Sequence, residues 1–190
     1  LFVDPTDPHI PFGALPLQDA GKPAAVALAG GARIMQTPGL TPDTNRLAVK
    51  TVLDIDAQGK AAGSMEVHAE GMAATELQNL LAALPEGMNA LAVQKLLEAN
   101  QWRGRGNAQY PPVQRERQVQ SLKIEGLVID NLLNDPQSGP LNPQPRLPLA
   151  VYAVRNIGNY GAASRSYAMA CTPIRVREEA ELRFDPAYKL

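Results

Sequence analysis

Polar and apolar positions alternate most regularly between residues 46 and 70. Leu47, Val49, Thr51, Leu53 and Ile55 share one parity, with Lys50, Asp54 and Asp56 on the other. After the segment Asp56-Ala57-Gln58-Gly59-Lys60, a second run places Ala61, Gly63, Met65, Val67 and Ala69 against Ser64, Glu66, His68 and Glu70. Period two on both sides of a Gly-containing turn predicts an antiparallel hairpin with one buried and one solvated face. Its exposed rows carry Lys and Asp on one strand and Glu and His on the other, so opposite charges can pair across the strands.

The period then changes. Leu77, Leu80, Leu81 and Leu84 recur at helical spacing, Pro85 and Gly87 interrupt, and Met88, Leu91, Ala92, Val93, Leu96 and Leu97 form a second apolar stripe. Residues 72–101 therefore read as two helices, with Pro85 suited to the first turn of the second. The stripes are core surface. Arg103-Gly104-Arg105-Gly106 reads as a short basic loop, and without a strand before it and a helix after it the segment is no phosphate cradle. Strand character returns over 113–128, where Leu122, Ile124 and Val128 share a parity. Val119 falls on the other, which implies a bulge or an exposed apolar side chain. Residues 134–148, rich in Pro, Asn, Gln and Gly, form a long loop. Leu149 to Arg155 is apolar on both parities, as in a central strand. Ile174, Val176, Ala180, Leu182 and Phe184 alternate with charged residues in a half-buried strand. Glu178 lies on its apolar parity, which is tolerable at an edge or a turn. Residues 1–45 hold seven prolines and are mostly extended, with two short strands, Val26–Leu28 and Ala32–Met35, joined at Gly30-Gly31. The expected fold is mainly β: an immunoglobulin-like antiparallel β-sandwich built from the 46–70 hairpin and strands near 116–124, 149–155 and 174–184, with an inserted helical pair at about residues 72–101.

Composition adds limits. A chain of 190 residues with 45% apolar content can bury a core without disulfides or metals. A formal net charge of −1 and 5% aromatics offer neither a basic footprint nor stacking platforms for a nucleic acid or an anionic membrane. No run approaches the roughly 20 apolar residues of a membrane span. Cys171 is the only cysteine, so no internal disulfide forms. The chain opens in a strand-like run without an initiator Met and reads as a segment of a longer protein, whose targeting signal it cannot reveal.

The first residues bear on function. Leu1-Phe2-Val3 runs into Asp4-Pro5-Thr6-Asp7-Pro8, where Pro5 holds Asp4 extended and Thr6 can bond back to it. His9-Ile10-Pro11-Phe12-Gly13-Ala14-Leu15-Pro16 follows, then Gly21-Lys22-Pro23-Ala24. Over Val3 to Leu28 this resembles the Asp-Pro-Thr segment that closes the core of bacterial transglutaminase-like proteins, where the core lies between two β domains. The resemblance implies that Asp4 is the third member of a Cys-His-Asp triad. Residues 1–45 would then be the tail of the core and a linker, and residues 46–190 a C-terminal β-rich accessory domain. It further implies an exported parent, in the periplasm or cell envelope, that performs thiol acyl transfer on a peptide or protein. The partner of this chain would be the upstream core of the same parent.

Other candidates are weaker. In the family order Cys and His precede the Asp, whereas Cys171 follows Asp4 and has no local cation to lower its thiol pKa. Cys171 reads as buried and inert. His9 could pair with Asp7 in a loop, and His68 belongs to a solvated strand face. No zinc spacing, calcium loop, nucleophile elbow or phosphate loop is present, so no metal or cofactor is expected. Glu178, Glu179 and Glu181 read as strand surface. Two functions remain: an accessory region of a transglutaminase-like protein, inactive alone, or a non-catalytic β-sandwich that binds or supports in a bacterial surface or periplasmic protein.

Overall fold

The computed structural model describes residues 10–16, 19–85, 87–99, 101–114, 117–133 and 173–188. Among them the chain forms seven strands and two helices. These are β1 (Pro23–Leu28), β2 (Gly31–Gln36), β3 (Arg46–Ile55), β4 (Ala61–Glu70), α1 (Met72–Ala82), α2 (Asn89–Ala99), β5 (Gly104–Gln109), β6 (Val119–Ile129) and β7 (Arg175–Phe184). The fold is mainly β with a helical pair and two sheets, as the periodicity implied. One sheet is the β1-β2 hairpin, and the other has five strands in the order β5-β6-β4-β3-β7. The neighbours are antiparallel except β3 and β7, which run parallel.

The β3-β4 hairpin follows its alternation without a slip. Ile55 pairs with Ala61, Thr51 with Met65 and Leu47 with Ala69, and the apolar parity of both strands is buried. Asp56 makes the turn: its carboxylate accepts from the backbone N–H groups of Gln58 and Lys60, each at 2.9 Å. Gly59 supplies the positive φ the turn needs. Helices α1 and α2 cover the inner face of the sheet. Leu77 and Leu81 of α1 and Val93, Leu96 and Leu97 of α2 close on Leu47, Val49 and Leu53 of β3, Met65 and Val67 of β4, and Leu122, Ile124, Leu127 and Ile129 of β6.

Three local readings are corrected. Arg103–Gly106 is not a free loop, because Gly104 to Gln109 is an edge strand on β6. Its glycines mark close approach rather than turns. A Cβ at Gly106 would lie 3.1 Å from side-chain atoms of both Val93 and Ile124, and one at Gly104 would lie 1.9 Å from the Val128 carbonyl oxygen. In β6 the parity of the core positions changes at Glu125-Gly126, where the register with β4 and β5 shifts and Gly126 takes a φ of 58°. The bulge puts Leu127 and Ile129 in the core and turns Val128 outward, while Val119 is simply exposed. Pro85 lies outside α2: its carbonyl accepts from Met88 N–H in a turn that precedes the helix.

Asn45 ties three elements together. It is 1% exposed. Its Oδ1 accepts from Ala73 N–H at 3.0 Å, near the start of α1, and its Nδ2 donates to the Pro173 carbonyl at 3.0 Å. Its own carbonyl accepts from Arg175 N–H at 2.9 Å, where β7 begins. α1 is therefore capped by the residue that precedes β3, because Gly71 at its N-cap has no side chain to do so. Gly71 is itself required there: its φ is 65°, and a Cβ would lie 2.1 Å from the Thr44 carbonyl oxygen.

β7 is an edge strand whose apolar parity is half-buried at Val176, Leu182 and Phe184. Glu178 is exposed, as an edge position allows. Below it, Phe184 and Tyr188 meet edge to face at 5.7 Å, and the Tyr188 hydroxyl donates to the Asp56 carbonyl, which seals the end of the β3-β4 hairpin. The expected strand at 149–155 and the loop at 134–148 lie outside the described residues.

Candidate binding surface

The face of the sheet turned away from the helices is polar. Its positions are dictated by the same alternation that builds the core: each buried residue of β3 and β4 forces its neighbours outward. Across the middle of this face, register aligns Lys123 of β6, Glu66 of β4, Lys50 of β3 and Glu179 of β7. The row thus alternates in sign. One row over, Ser121, His68, Ala48 and Arg177 align in the same way. Tyr110 and Pro111 rise on one side and Arg177 and Glu179 on the other, enclosing an open trough of about 840 Å³. Five strands spaced about 4.8 Å apart make the face roughly 19 Å wide.

The charges on this face are largely paired. Lys123 Nζ lies 2.7 Å from Glu125 Oε1 and 4.0 Å from Glu66. Gln109 donates to Glu125 from the edge strand at 2.9 Å. The hydrogen bond and charge of Glu125 raise the Lys123 pKa, and the same ammonium lowers that of Glu125. Arg177 pairs with Glu179. Further along β7, Arg183 bonds Glu181 at 2.8 Å and reaches Asp54 at 3.4 Å, and its pKa is raised chiefly by the bond to Glu181. Charges held in mixed-sign pairs on an open surface stay solvated. They are not desolvated or set against like charges, as acid-base groups tuned for catalysis usually are.

The residues singled out from sequence fall in different places. Asp4, the expected triad carboxylate, lies outside the described residues, as do Asp7, His9 and Cys171. His68 is on the outer face of β4, as its parity required, with Nε2 3.5 Å from Glu70. Glu179 and Glu181 are strand surface engaged in ion pairs. Among the described residues no group of three or more His, Cys, Asp or Glu side chains is gathered to hold a metal ion, and no helix is long and apolar enough to cross a membrane. Reading each strand by itself identifies the solvated faces but not the trough. The trough depends on the β3-β7 pairing, which brings Arg177 and Glu179 beside Lys50 from a segment more than 120 residues later in the chain.

The sequence matches no protein-family model, and no curated protein or solved structure is similar to it.

Proposed function

We propose that this chain is a binding domain that receives a protein segment on the outer face of its five-stranded sheet. The observation that supports it is the trough itself. It is wide, open and lined by both signs of charge, whereas small-molecule sites are typically enclosed and mainly apolar. A polar peptide or protein surface matches such a face by exchanging its own ion pairs for those already there.

A second reading, favoured by the Asp4-Pro5-Thr6 segment and its continuation to Leu28, gives this binding domain its setting. In that reading it is the accessory region of a transglutaminase-like parent of the cell envelope, Asp4 completes the catalytic triad of the upstream core, and the trough helps hold the protein substrate. The two readings are compatible and separate kinetically. In the full-length parent, Asp4→Asn should lower turnover by roughly 10²–10⁴, because a triad carboxylate holds the histidine tautomer and stabilises the imidazolium. Lys50→Glu combined with Lys123→Glu should raise KM at least about fivefold and leave kcat unchanged, as expected when binding alone is weakened. An unchanged KM would remove the trough from function. An Asp4→Asn effect no larger than that of Asp7→Asn would make Asp4 a turn residue and end the transglutaminase-like assignment.

A further inference from the structure

The two edges of the five-stranded sheet are treated differently. At one edge, every arginine of β7 is neutralised: Arg175 by Asp43 at 2.8 Å, Arg177 by Glu179, and Arg183 by Glu181 and Asp54. At the other, β5 has β6 as its one neighbour among the described residues, so half of its backbone N–H and C=O groups point away from the sheet. Arg103 and Arg105 stand exposed at this edge, and neither guanidinium has a partner among the described residues. Arg105 pairs in register with Val128 on the outer face. Arg103 continues the ladder one step further, its carbonyl accepting from Asp130 N–H at 2.7 Å, so the two cations share one parity. The opposite parity is Gly104, Gly106 and Ala108, with almost nothing to project.

Helix α2 runs beside this edge. Ala90, Gln94 and Leu97 form one wall of a groove of about 350 Å³, and residues 102–106 form the other. Glu98 also lines it, with its carboxylate occupied by the Gln94 side-chain N–H at 2.8 Å.

We infer that the edge of β5 is a second recognition site, one that takes an extended peptide with alternating acidic and small apolar residues. The peptide adds a sixth strand in the groove between β5 and α2. Its backbone bonds to the outward N–H and C=O groups of β5, which pair with no strand among the described residues, as in strand-addition complexes generally. Along an added strand successive side chains face opposite ways. Acidic residues at every second position therefore meet Arg103 and Arg105 on the outer side as cross-strand neighbours. The residues between them turn towards the groove wall formed by Ala90 and Leu97, and that wall has room only for small side chains. A basic peptide would instead meet two unpaired arginines. The site goes beyond the trough proposal and does not depend on it, since Lys50 and Lys123 take no part.

Trp102 is the only tryptophan in the chain and lines this groove, so its emission reports occupancy directly. The test titrates the 190-residue chain with an acetylated, amidated peptide of alternating Glu and Val. Three comparisons accompany it: the Lys/Val counterpart, a Glu/Val peptide N-methylated at alternate residues, and a short single-stranded oligonucleotide. Saturable binding of the Glu/Val peptide alone is expected, with amide NMR shifts concentrated in residues 104–109. Arg103→Glu with Arg105→Glu should weaken that binding at least tenfold at an unchanged melting temperature, and should favour the Lys/Val peptide instead. Lys50→Glu with Lys123→Glu should not alter it, which separates this site from the trough. Equal binding of the N-methylated peptide would show that no strand is added. Equal binding of the oligonucleotide would show simple anion attraction. Either result, or binding indifferent to the arginines, or no saturable binding at all, would overturn the inference.

Discussion

Asn45 joins the start of α1 to the entry of β7 through one buried side chain. Its amide satisfies a buried donor at the start of α1 and a part-buried acceptor at the entry to β7. Replacement by Ala leaves Ala73 N–H and the Pro173 carbonyl unpaired, and the expected loss is about 2–3 kcal/mol, combining a lost cap with an unsatisfied buried group. Urea denaturation would measure it, and a loss below about 0.5 kcal/mol, the range of a surface change, would show that water takes over both bonds. The Lys123–Glu125 pair makes a different prediction. A carboxylate whose folded pKa is lowered stabilises the fold above its ordinary pKa, and that contribution disappears as pH falls through the lowered value. An ammonium whose folded pKa is raised contributes below its ordinary value, and loses that contribution as pH rises through the raised one. The pair is thus intact across the neutral range. An NMR titration should find Glu125 below the usual glutamate range, and Lys123→Met should move it back up. Both groups are solvent-exposed, so the effect belongs to titration curves more than to stability.

Glycine decides the geometry of several elements. In β4, a Cβ at Gly63 would lie 1.8 Å from the Val52 carbonyl oxygen, an atom fixed by the β3-β4 ladder. In β5, a Cβ at Gly106 meets side-chain atoms of Val93 and Ile124 first, at 3.1 Å, with the Leu127 Cα at an ordinary 3.4 Å. Gly63→Ala should therefore cost about 3 kcal/mol or more, and Gly106→Ala about 1 kcal/mol, because a methyl group can shift where a sheet carbonyl cannot. Thermal melts of the two variants side by side test the order, and a larger loss at Gly106 would contradict the packing of α2 on β5. In α1, Leu77 is 1% exposed and Leu80 43% exposed, although both belong to the same apolar stripe. Leu77→Ala should cost about 2–5 kcal/mol and Leu80→Ala a small fraction of that. Period alone could not separate them, because Leu80 faces the mouth of a narrow apolar cleft between the helices rather than the centre of the sheet.

At the scale of the molecule, the β1-β2 hairpin stands apart from the main sheet. Among the described residues its strands pair only with each other, and Leu28 and Ile34 are 55% and 70% exposed. Removing residues 1–38 should therefore leave a cooperative unfolding transition, with a melting temperature close to that of the whole chain. Loss of cooperativity by circular dichroism would mean that the hairpin completes the core. The 190-residue chain should also lack thiol-dependent peptidase or transamidase activity. If such activity is found and is lost in Cys171→Ser, Cys171 would be the nucleophile and the accessory reading would fall.

Much of this was legible beforehand where a local rule acts alone. The 46–70 alternation specified the β3-β4 hairpin, its turn and its buried parity, because period two leaves no other amphipathic solution. The leucine stripes gave two helices for the equivalent reason at period 3.6. Glu178 on an apolar parity already pointed to a strand edge or a turn, and an edge is what forms. What the sequence did not disclose depends on contacts between distant segments. The parallel placement of β7 beside β3 is one such contact, since strand pairing is paid for by backbone hydrogen bonds that every sequence can make. The cap on α1 by Asn45, the strand made from an Arg-Gly repeat, and the bulge at Gly126 that reverses the core parity of β6 are others. Each is decided by what lies against the residue. A glycine can mark a turn, a bulge or a close approach with equal ease, and only the neighbouring backbone selects among them. The outer trough and the free edge of β5 follow from the order of the strands, and that order is a property of the tertiary structure.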